Sequence, residues 1–365
     1  MRDRIDGLQS LRAVASMLVV IDHTITQLLY YKTYGEVYDK ILGNIKILGD
    51  MGVYVFFILS GYIMLFSTQK KRGPYDAMIF LKKRFLRIYP VYWFWLSFLL
   101  VLWAIGLALK QHYFGIERII SSYLLLPYSP GNDEKINPIL SQEWTLIYEM
   151  AFYVVFSLTI FFKRKENIAF FTVGCGFILI NLVGYLFKEV SSSIYIFFFS
   201  WYFYLFLLGM VIYLIQDKIA IAINKPIIQL LLIVIIAVLL VDLLFLNNFN
   251  KTIEAIVLAF FLFLLFLIKN VTSKMLRALG DSSYSLYLSH GIIAMFYGML
   301  VKKIIANDVI ALMLVIPFTI ASIIFGHIAY LTIEKKSITI RPQKRMLTNE
   351  KECSISYTFF RLHWS

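Results

Sequence analysis

The chain has 365 residues, of which 60% are hydrophobic, 17% aromatic and only 16% charged, and its formal net charge is +13. Soluble domains of this length are not so apolar, so the composition excludes a soluble protein and predicts an integral membrane protein. In a soluble chain the positive charge would suggest nucleic acid as a partner, but here Lys and Arg cluster between apolar segments, which indicates membrane topology instead.

Roughly ten apolar segments are long enough, or nearly so, to cross a hydrocarbon core of about 30 Å. In chain order these predicted spans are 8–30, 47–67, 86–109, 144–162, 168–187, 194–215, 226–246, 252–268, 284–301 and 309–332. An even number of spans places both termini on one side of the membrane. Segments on that side hold about twice as many Lys and Arg as the opposite loops, so both termini are predicted to be cytoplasmic. The predicted fold is therefore an all-α bundle of about ten transmembrane helices.

Little of the chain is expected outside the membrane. We predict one transmembrane domain at 1–333 and a polar cytoplasmic tail at 334–365. The longest exterior connection, roughly 110–143, contains Leu126-Pro-Tyr-Ser-Pro130-Gly-Asn-Asp-Glu134. Its turn formers and acidic residues predict an ordered loop or a lid.

His23 is the most informative residue of the first predicted span. It follows Arg12 by eleven residues, which is about three helical turns, so the two side chains share one face about 16 Å apart. Ionisable groups are unfavourable in hydrocarbon, and the pair therefore suggests a functional surface turned away from lipid. The topology places Glu149 of the fourth span at a similar depth. A histidine base with a carboxylate suits proton removal from a hydroxyl; the alternative is two unrelated groups, each satisfied by a hydroxyl or a water.

Arg84 and Arg87 stand three residues apart just before the third predicted span. They would share one helix face at the cytoplasmic edge of the membrane. Two guanidinium groups in that position suit the phosphates of a nucleotide-like donor. The alternative is contact with lipid phosphates, which is common for basic residues at the inner ends of helices.

Other spans contribute further candidate residues. Ser60, followed by Gly61, lies in the middle of the second span and either permits close helix packing or lines a cavity. Trp144 at the start of the fourth span is typical of an interfacial anchor. Tyr284, Tyr287 and His290 lie three residues apart and form a drifting stripe on the ninth span, where His290 would either bind a donor or hydrogen-bond a neighbouring helix. The sequence contains no spacing of Cys and His typical of metal sites and no glycine-rich phosphate loop.

Taken in order, these motifs resemble the membrane-bound acyltransferase 3 family, which includes bacterial O-acetyltransferases of exopolysaccharide and O-antigen. The resemblance extends over residues 5–332. The amino-acid sequences at Gly52–Met64 and Leu279–His290 are most similar to the exopolysaccharide branch of the family. The motifs are Arg-x10-His at Arg12–His23, Gly-Val-x-x-Phe-Phe-x-x-Ser-Gly at Gly52–Gly61, Arg-x-x-Arg at Arg84–Arg87, Trp-Thr-Leu-x-x-Glu at Trp144–Glu149 and Leu-Gly-Asp-x-Ser-Tyr-Ser-x-Tyr-Leu-x-His at Leu279–His290.

The resemblance implies an enzyme of the bacterial inner membrane that transfers an acyl group, usually acetyl from acetyl-CoA, to a hydroxyl of a polysaccharide or its lipid-linked precursor. His23 becomes the leading catalytic residue, assisted by Glu149. Residues assigned to the donor site are Arg12, Arg84, Arg87, Tyr284 and His290, and those assigned to the cavity wall are Ser60 and Trp144.

The expected partners follow from the same resemblance. They are acyl-CoA as donor substrate, a glycan acceptor, membrane lipid and the machinery of polysaccharide synthesis. No bound cofactor, metal or nucleic acid is expected. The alternative function is a multi-span transporter or flippase of a polysaccharide precursor, for which broken helices and inverted repeats would be expected.

Overall fold

The computed structural model describes residues 2–69, 71, 73–109, 112–129, 136–163, 165–186, 192–223, 225–269 and 272–336. All regular structure within these ranges is helical. The predicted tail at 334–365 lies outside the described residues from position 337 onward, and so do positions 130–135 of the predicted exterior loop.

Fourteen α-helices make up most of the described chain. They are α1 (Arg2–Tyr31), α2 (Glu36–Thr68), α3 (Pro74–Ala104), α4 (Ile116–Leu124), α5 (Glu143–Phe161), α6 (Glu166–Leu186), α7 (Ser192–Phe198), α8 (Tyr202–Ile223), α9 (Pro226–Val241), α10 (Lys251–Lys269), α11 (Lys274–Asp281), α12 (Ser283–Lys303), α13 (Asp308–Met313) and α14 (Val315–Ala329). Two π-helical turns, Asp242–Leu246 and Tyr330–Glu334, continue α9 and α14.

Nine helical stretches of the described residues are long and apolar enough to cross a membrane. They are Asp6–Tyr31, Glu36–Thr68, Pro74–Ala104, Glu143–Phe161, Glu166–Leu186, Tyr195–Ala222, Pro226–Leu246, Ser283–Lys303 and Asp308–Glu334. The prediction of an all-helical, multi-pass membrane protein is thus confirmed. The eighth predicted span, 252–268, is helical as α10 but is not one of the nine. The count of ten spans and the cytoplasmic side of the termini stay predictions.

Two helices are longer than the spans predicted for them. α2 has 33 residues and begins at Glu36, within what the sequence predicts as an exterior loop. α3 begins at Pro74, where the fixed φ of proline suits the first turn, and not at 86. The helix that carries Arg84 and Arg87 therefore begins about three turns earlier than the predicted span. Hydropathy misses such turns because it detects only the apolar part of a helix.

The chain forms two compact units, and the first comprises Met1–Gly52 and Leu230–Ser365. Within it α1 packs against α10, α11, α12 and α14. Two glycines allow backbones to approach closely here. A Cβ added at Gly52 would lie 2.5 Å from the carbonyl oxygen of Ala15, and one added at Gly280 would overlap the carbonyl of Gln9. The first unit thus places residues from both ends of the chain around α1.

The second unit comprises Val53–Gln229, and within it α5 packs against α3, α6 and α8. The part of α2 in this unit crosses α8 at Gly61 and Gly209. A Cβ at Gly61 would overlap the carbonyl of Phe206, and a Cβ at Gly209 would overlap that of Ile58. Gly61 is therefore used for close helix packing, which was one of the two interpretations of the Ser60-Gly61 pair.

Candidate active site

The backbone of α1 determines which ring nitrogen of His23 carries the proton. Its side chain is 34% exposed, and its Nδ1 lies 2.9 Å from the carbonyl oxygen of Val19, one turn earlier in α1. A carbonyl oxygen can only accept, so Nδ1 carries the proton and the lone pair is on Nε2. This tautomer is the one a general base needs, and the helix holds its orientation.

His290 of α12 packs directly against His23. The ring centroids are 4.9 Å apart with an interplanar angle of 73°. His290 is fully buried, and its Nδ1 lies 2.9 Å from the carbonyl oxygen of Leu286. Tyr284, on the same helix, is also buried. The donor-binding roles predicted for His290 and Tyr284 stay predictions. The contact between the two histidines was not predicted, because the sequence does not say which helices are neighbours.

Asp22 is an acidic neighbour that the sequence motifs do not single out. Its Oδ2 lies 3.9 Å from Nδ1 of His23, and its Oδ1 accepts a hydrogen bond of 3.0 Å from the hydroxyl of Thr26. A carboxylate at this distance attracts a positive charge on an imidazole ring. Asp22 would therefore stabilise His23 after it has taken a proton.

Arg12 lies on the same helix in a separate polar network. It is 6% exposed, and its Nη1 donates to Oε1 of Gln9 at 3.1 Å. Nε2 of Gln9 in turn donates to Oδ1 of Asp281 at 2.6 Å. Burial raises the pKa of Asp281 to about 6, although the charge of Arg12 and the hydrogen bond from Gln9 act in the opposite direction.

Glu149 of α5 belongs to the second unit and is held by two hydroxyl donors. Its Oε1 accepts a hydrogen bond of 3.2 Å from Ser60 and another from the hydroxyl of Tyr153. Ser60 therefore donates a hydrogen bond to this carboxylate in addition to lying beside the helix contact at Gly61. His23 belongs to the first unit, and its pairing with Glu149 stays a prediction.

Arg84 is buried beside the same tyrosine. Its Cζ lies 5.2 Å from the ring centroid of Phe80 and 5.2 Å from that of Tyr153, which is cation–π geometry. The charge of Glu149 also acts on this guanidinium. Arg84 is only 6% exposed, and its contact with donor or lipid phosphates stays a prediction. Arg87, one turn further along α3, is half-buried.

Trp144 packs inside an aromatic cluster of the second unit. Its ring centroid lies 5.0 Å from Tyr202, 6.1 Å from Tyr148 and 6.2 Å from Phe57. These contacts go beyond the interfacial anchor that the sequence suggests, and the cavity-lining role stays a prediction. A small cavity of about 10 Å³, room for about one water molecule, does occur in this unit between residues such as Thr68, Phe156 and Glu166. None of the predicted site residues lines it.

Comparison with known proteins bears on the same residues. The acyltransferase 3 family, described as an acyltransferase domain, matches residues 5–331. The chain is also similar to the exopolysaccharide production protein ExoZ of Rhizobium meliloti (strain 1021), with 34% identity over 119 residues. That alignment covers 32% of this chain and 36% of the length of ExoZ. No solved structure matches the chain. Because the family match extends over nearly all the described helices, the chain belongs to the acyltransferase 3 family.

Proposed function

We propose that the protein is a membrane-bound O-acyltransferase of the bacterial cytoplasmic membrane. It would move an acyl group, usually acetyl, from acyl-CoA to a hydroxyl of an exported polysaccharide or its lipid-linked precursor. The observation that carries the proposal is His23, a membrane-embedded imidazole whose Nδ1 proton is engaged by Val19 and whose Nε2 is basic. Family membership supports the reaction class, and similarity to ExoZ, a protein of exopolysaccharide production, supports the polysaccharide acceptor.

The proposed chemistry is direct transfer with His23 as the general base. Nε2 takes the proton of the acceptor hydroxyl while the oxygen attacks the thioester carbonyl carbon. The tetrahedral intermediate then collapses, the carbon–sulfur bond breaks, and the CoA sulfur receives the proton from Nε2. Asp22, 3.9 Å from Nδ1, stabilises the imidazolium between the two proton transfers. We retain Glu149 as a second catalytic candidate.

The donor would be held by buried arginines. Guanidinium groups bind phosphate oxygens through two parallel hydrogen bonds, and CoA offers a diphosphate and a phosphomonoester. Arg12 and Arg84 are both 6% exposed, and both lie in helices long and apolar enough to cross a membrane. A buried cation there is unfavourable without a function, and this supports donor sites at Arg12, Arg84 and Arg87.

Transfer is tested with purified protein in lipid vesicles supplied with acetyl-CoA, measuring release of the CoA thiol with and without glycan. In parallel, mass spectrometry measures the acetylation of surface glycans from a deletion strain complemented with each variant. Wild type should restore the acetyl mass, and His23→Asn should not. His327→Asn is the matched control, because this histidine is also half-buried in a span of the first unit but lies outside the predicted site.

Two outcomes would contradict the proposal. Normal acetylation with His23→Asn, at an unchanged amount of folded protein, would remove the general-base role. The transporter alternative would be favoured if export of the glycan requires the protein and the purified protein consumes no thioester.

A further inference from the structure

A chain of two hydrogen bonds links Arg12 of α1 to Asp281 of α11 through a single amide. Arg12 donates to the carbonyl oxygen of Gln9 at 3.1 Å, and the amide nitrogen of Gln9 donates to Asp281 at 2.6 Å. The reverse orientation of the amide would place its NH2 group against the guanidinium, donor against donor, and its oxygen against the carboxylate. Asp281 therefore determines which end of Gln9 faces Arg12.

The backbone holds this chain of bonds at a fixed length. Gly280 packs on the backbone of Gln9 so closely that any Cβ would overlap its carbonyl. One turn away, Nη1 of Arg277 donates to Oδ2 of Asp6 at 2.6 Å, and this ion pair also joins α11 to α1. The two attachments leave Asp281 little freedom to move away from Gln9.

The titratable groups around Asp281 come from four elements. α1 contributes Asp6 and Arg12, and the π-helical turn after α14 contributes Glu334 and Tyr330. On α11 itself, Arg277 is paired with Asp6, and His327 of α14 contacts Ser282, the residue after Asp281. The net effect of burial and these charges is a pKa of Asp281 of about 6. The carboxylate thus changes charge within a pH range in which an enzyme can be assayed.

We propose that Asp281, acting through Gln9, positions the guanidinium of Arg12 for the phosphates of acyl-CoA. The inference rests on the proposed function, since it presumes that Arg12 meets the donor. An ionised carboxylate polarises the Gln9 amide and makes its carbonyl a stronger acceptor for Arg12. Asp281 touches neither substrate nor reacting atoms, so it is a positioning residue and should affect donor affinity rather than the chemical step.

The test compares four enzymes in vesicles with acetyl-CoA as the varied substrate. Asp281→Asn and Gln9→Met each break the chain of bonds without a large change in volume. Each should raise KM for acetyl-CoA about fivefold, the equivalent of one hydrogen bond, and leave kcat nearly unchanged. Asp308→Asn is the matched control, because Asp308 is a carboxylate of the first unit that pairs with Lys32 and does not belong to the chain of bonds through Gln9. It should keep the wild-type KM.

The pH profile separates positioning from a general loss of structure. In wild type, KM for acetyl-CoA should rise as pH falls through 6, because protonation removes the charge that polarises Gln9. The phosphomonoester of CoA also titrates near pH 6, but this affects every variant equally. Asp281→Asn should show only that shared part. In an Arg12→Lys background, Asp281→Asn should add little, because both changes remove the same interaction.

The outcomes separate this inference from the proposed function. An active wild type combined with unchanged KM and pH profile in folded Asp281→Asn and Gln9→Met overturns the inference alone. Effects of Arg12→Lys and Asp281→Asn that simply add also overturn it. A wild type that consumes no acetyl-CoA overturns the proposed function, and the inference with it. If Asp281→Asn does not fold, as judged by gel filtration, Gln9→Met decides.

Discussion

The two units hold their buried arginines in different ways. In the first, Arg12 is directed by hydrogen bonds that end on a carboxylate, Asp281. In the second, Arg84 faces the rings of Phe80 and Tyr153 at 5.2 Å each. Hydrogen bonds fix the direction of a guanidinium and depend on protonation, whereas an aromatic face attracts a cation over a broad surface. We therefore expect donor binding at Arg12 to depend on the ionisation of Asp281, and donor binding at Arg84 to depend mainly on the two aromatic rings.

The two candidate catalytic groups, His23 and Glu149, are also held by different hydrogen-bond partners. His23 bonds to the carbonyl of its own helix, which places its proton, while Glu149 is held by the hydroxyls of Ser60 and Tyr153. The imidazole keeps a basic nitrogen under this arrangement. The Glu149 oxygen that accepts these two bonds is already engaged by donors, whereas Nε2 of His23 carries a lone pair. We therefore expect His23 to be the base.

The largest expected effect is that of removing the imidazole of His23, the proposed general base. His23→Asn should lower acyl transfer about 10²–10⁴-fold, the usual contribution of a general base. Glu149→Gln should lower it less if its carboxylate is not the base. Initial rates of CoA release from purified variants measure both. A larger loss with Glu149→Gln than with His23→Asn would reverse the assignment.

Glycine substitutions along α2 compare the two units by stability. Gly61→Ala should destabilise the protein by about 1–3 kcal/mol, the usual effect of overpacking, because its Cβ would overlap the carbonyl of Phe206. Gly43, on the same helix but in the first unit, has nothing within 4 Å of an added Cβ. Gly43→Ala should therefore stabilise by about 0.5–1 kcal/mol. Thermal unfolding in detergent tests the pair, and equal shifts would refute the close crossing.

Arg84→Lys tests the aromatic site of the second unit. A lysine keeps the charge but loses the planar group that lies over Phe80 and Tyr153. We expect a rise in KM for acetyl-CoA of up to about tenfold, since buried cation–π contacts contribute about 0.5–2 kcal/mol. The ratio to wild type should be the same at pH 5.5 and 7.5. A ratio that changes with pH would mean that Arg84, like Arg12, depends on a titrating partner.

The smallest expected effect is a pH dependence of stability in the first unit. The pKa of Asp281 is raised from 3.8 to about 6 in the folded protein, so the folded state binds this proton more tightly than the unfolded state. Its contribution to stability is therefore complete below pH 3.8 and is lost as the pH rises through 6. The melting temperature of wild type relative to Asp281→Asn should fall between pH 4 and 7. A constant difference would contradict the raised pKa.

The raised pKa of Asp281 also bears on its proposed role in donor binding. The ionised carboxylate is the form proposed to position Arg12, and it is also the form that burial disfavours. Functional residues often reduce stability in this way. A loss of stability and a gain in donor affinity should therefore follow the same titration.

Much of the site was predictable residue by residue, but not as an arrangement. The motifs singled out Arg12, His23 and His290, and the structure brings the two histidines together. The start of α3 was predicted wrongly, because its polar first turns carry no apolar pattern and yet are helical. Gln9 was not singled out, because a glutamine between apolar residues has no distinctive spacing. Its role is visible only in contact with Asp281.

The sequence by itself determined the class of the molecule, since apolar segments of membrane length and clustered basic residues are properties of the local composition. It also carried the motifs of the family. The tertiary structure decided which segments are neighbours: His290 against His23, Asp281 against Gln9, and Tyr153 against Arg84. The physical reason is that lipid is as apolar as the helix surfaces, so helices are paired by close packing at small residues and by a few polar contacts. Those contacts join residues far apart in the chain, and hydropathy contains no information about them.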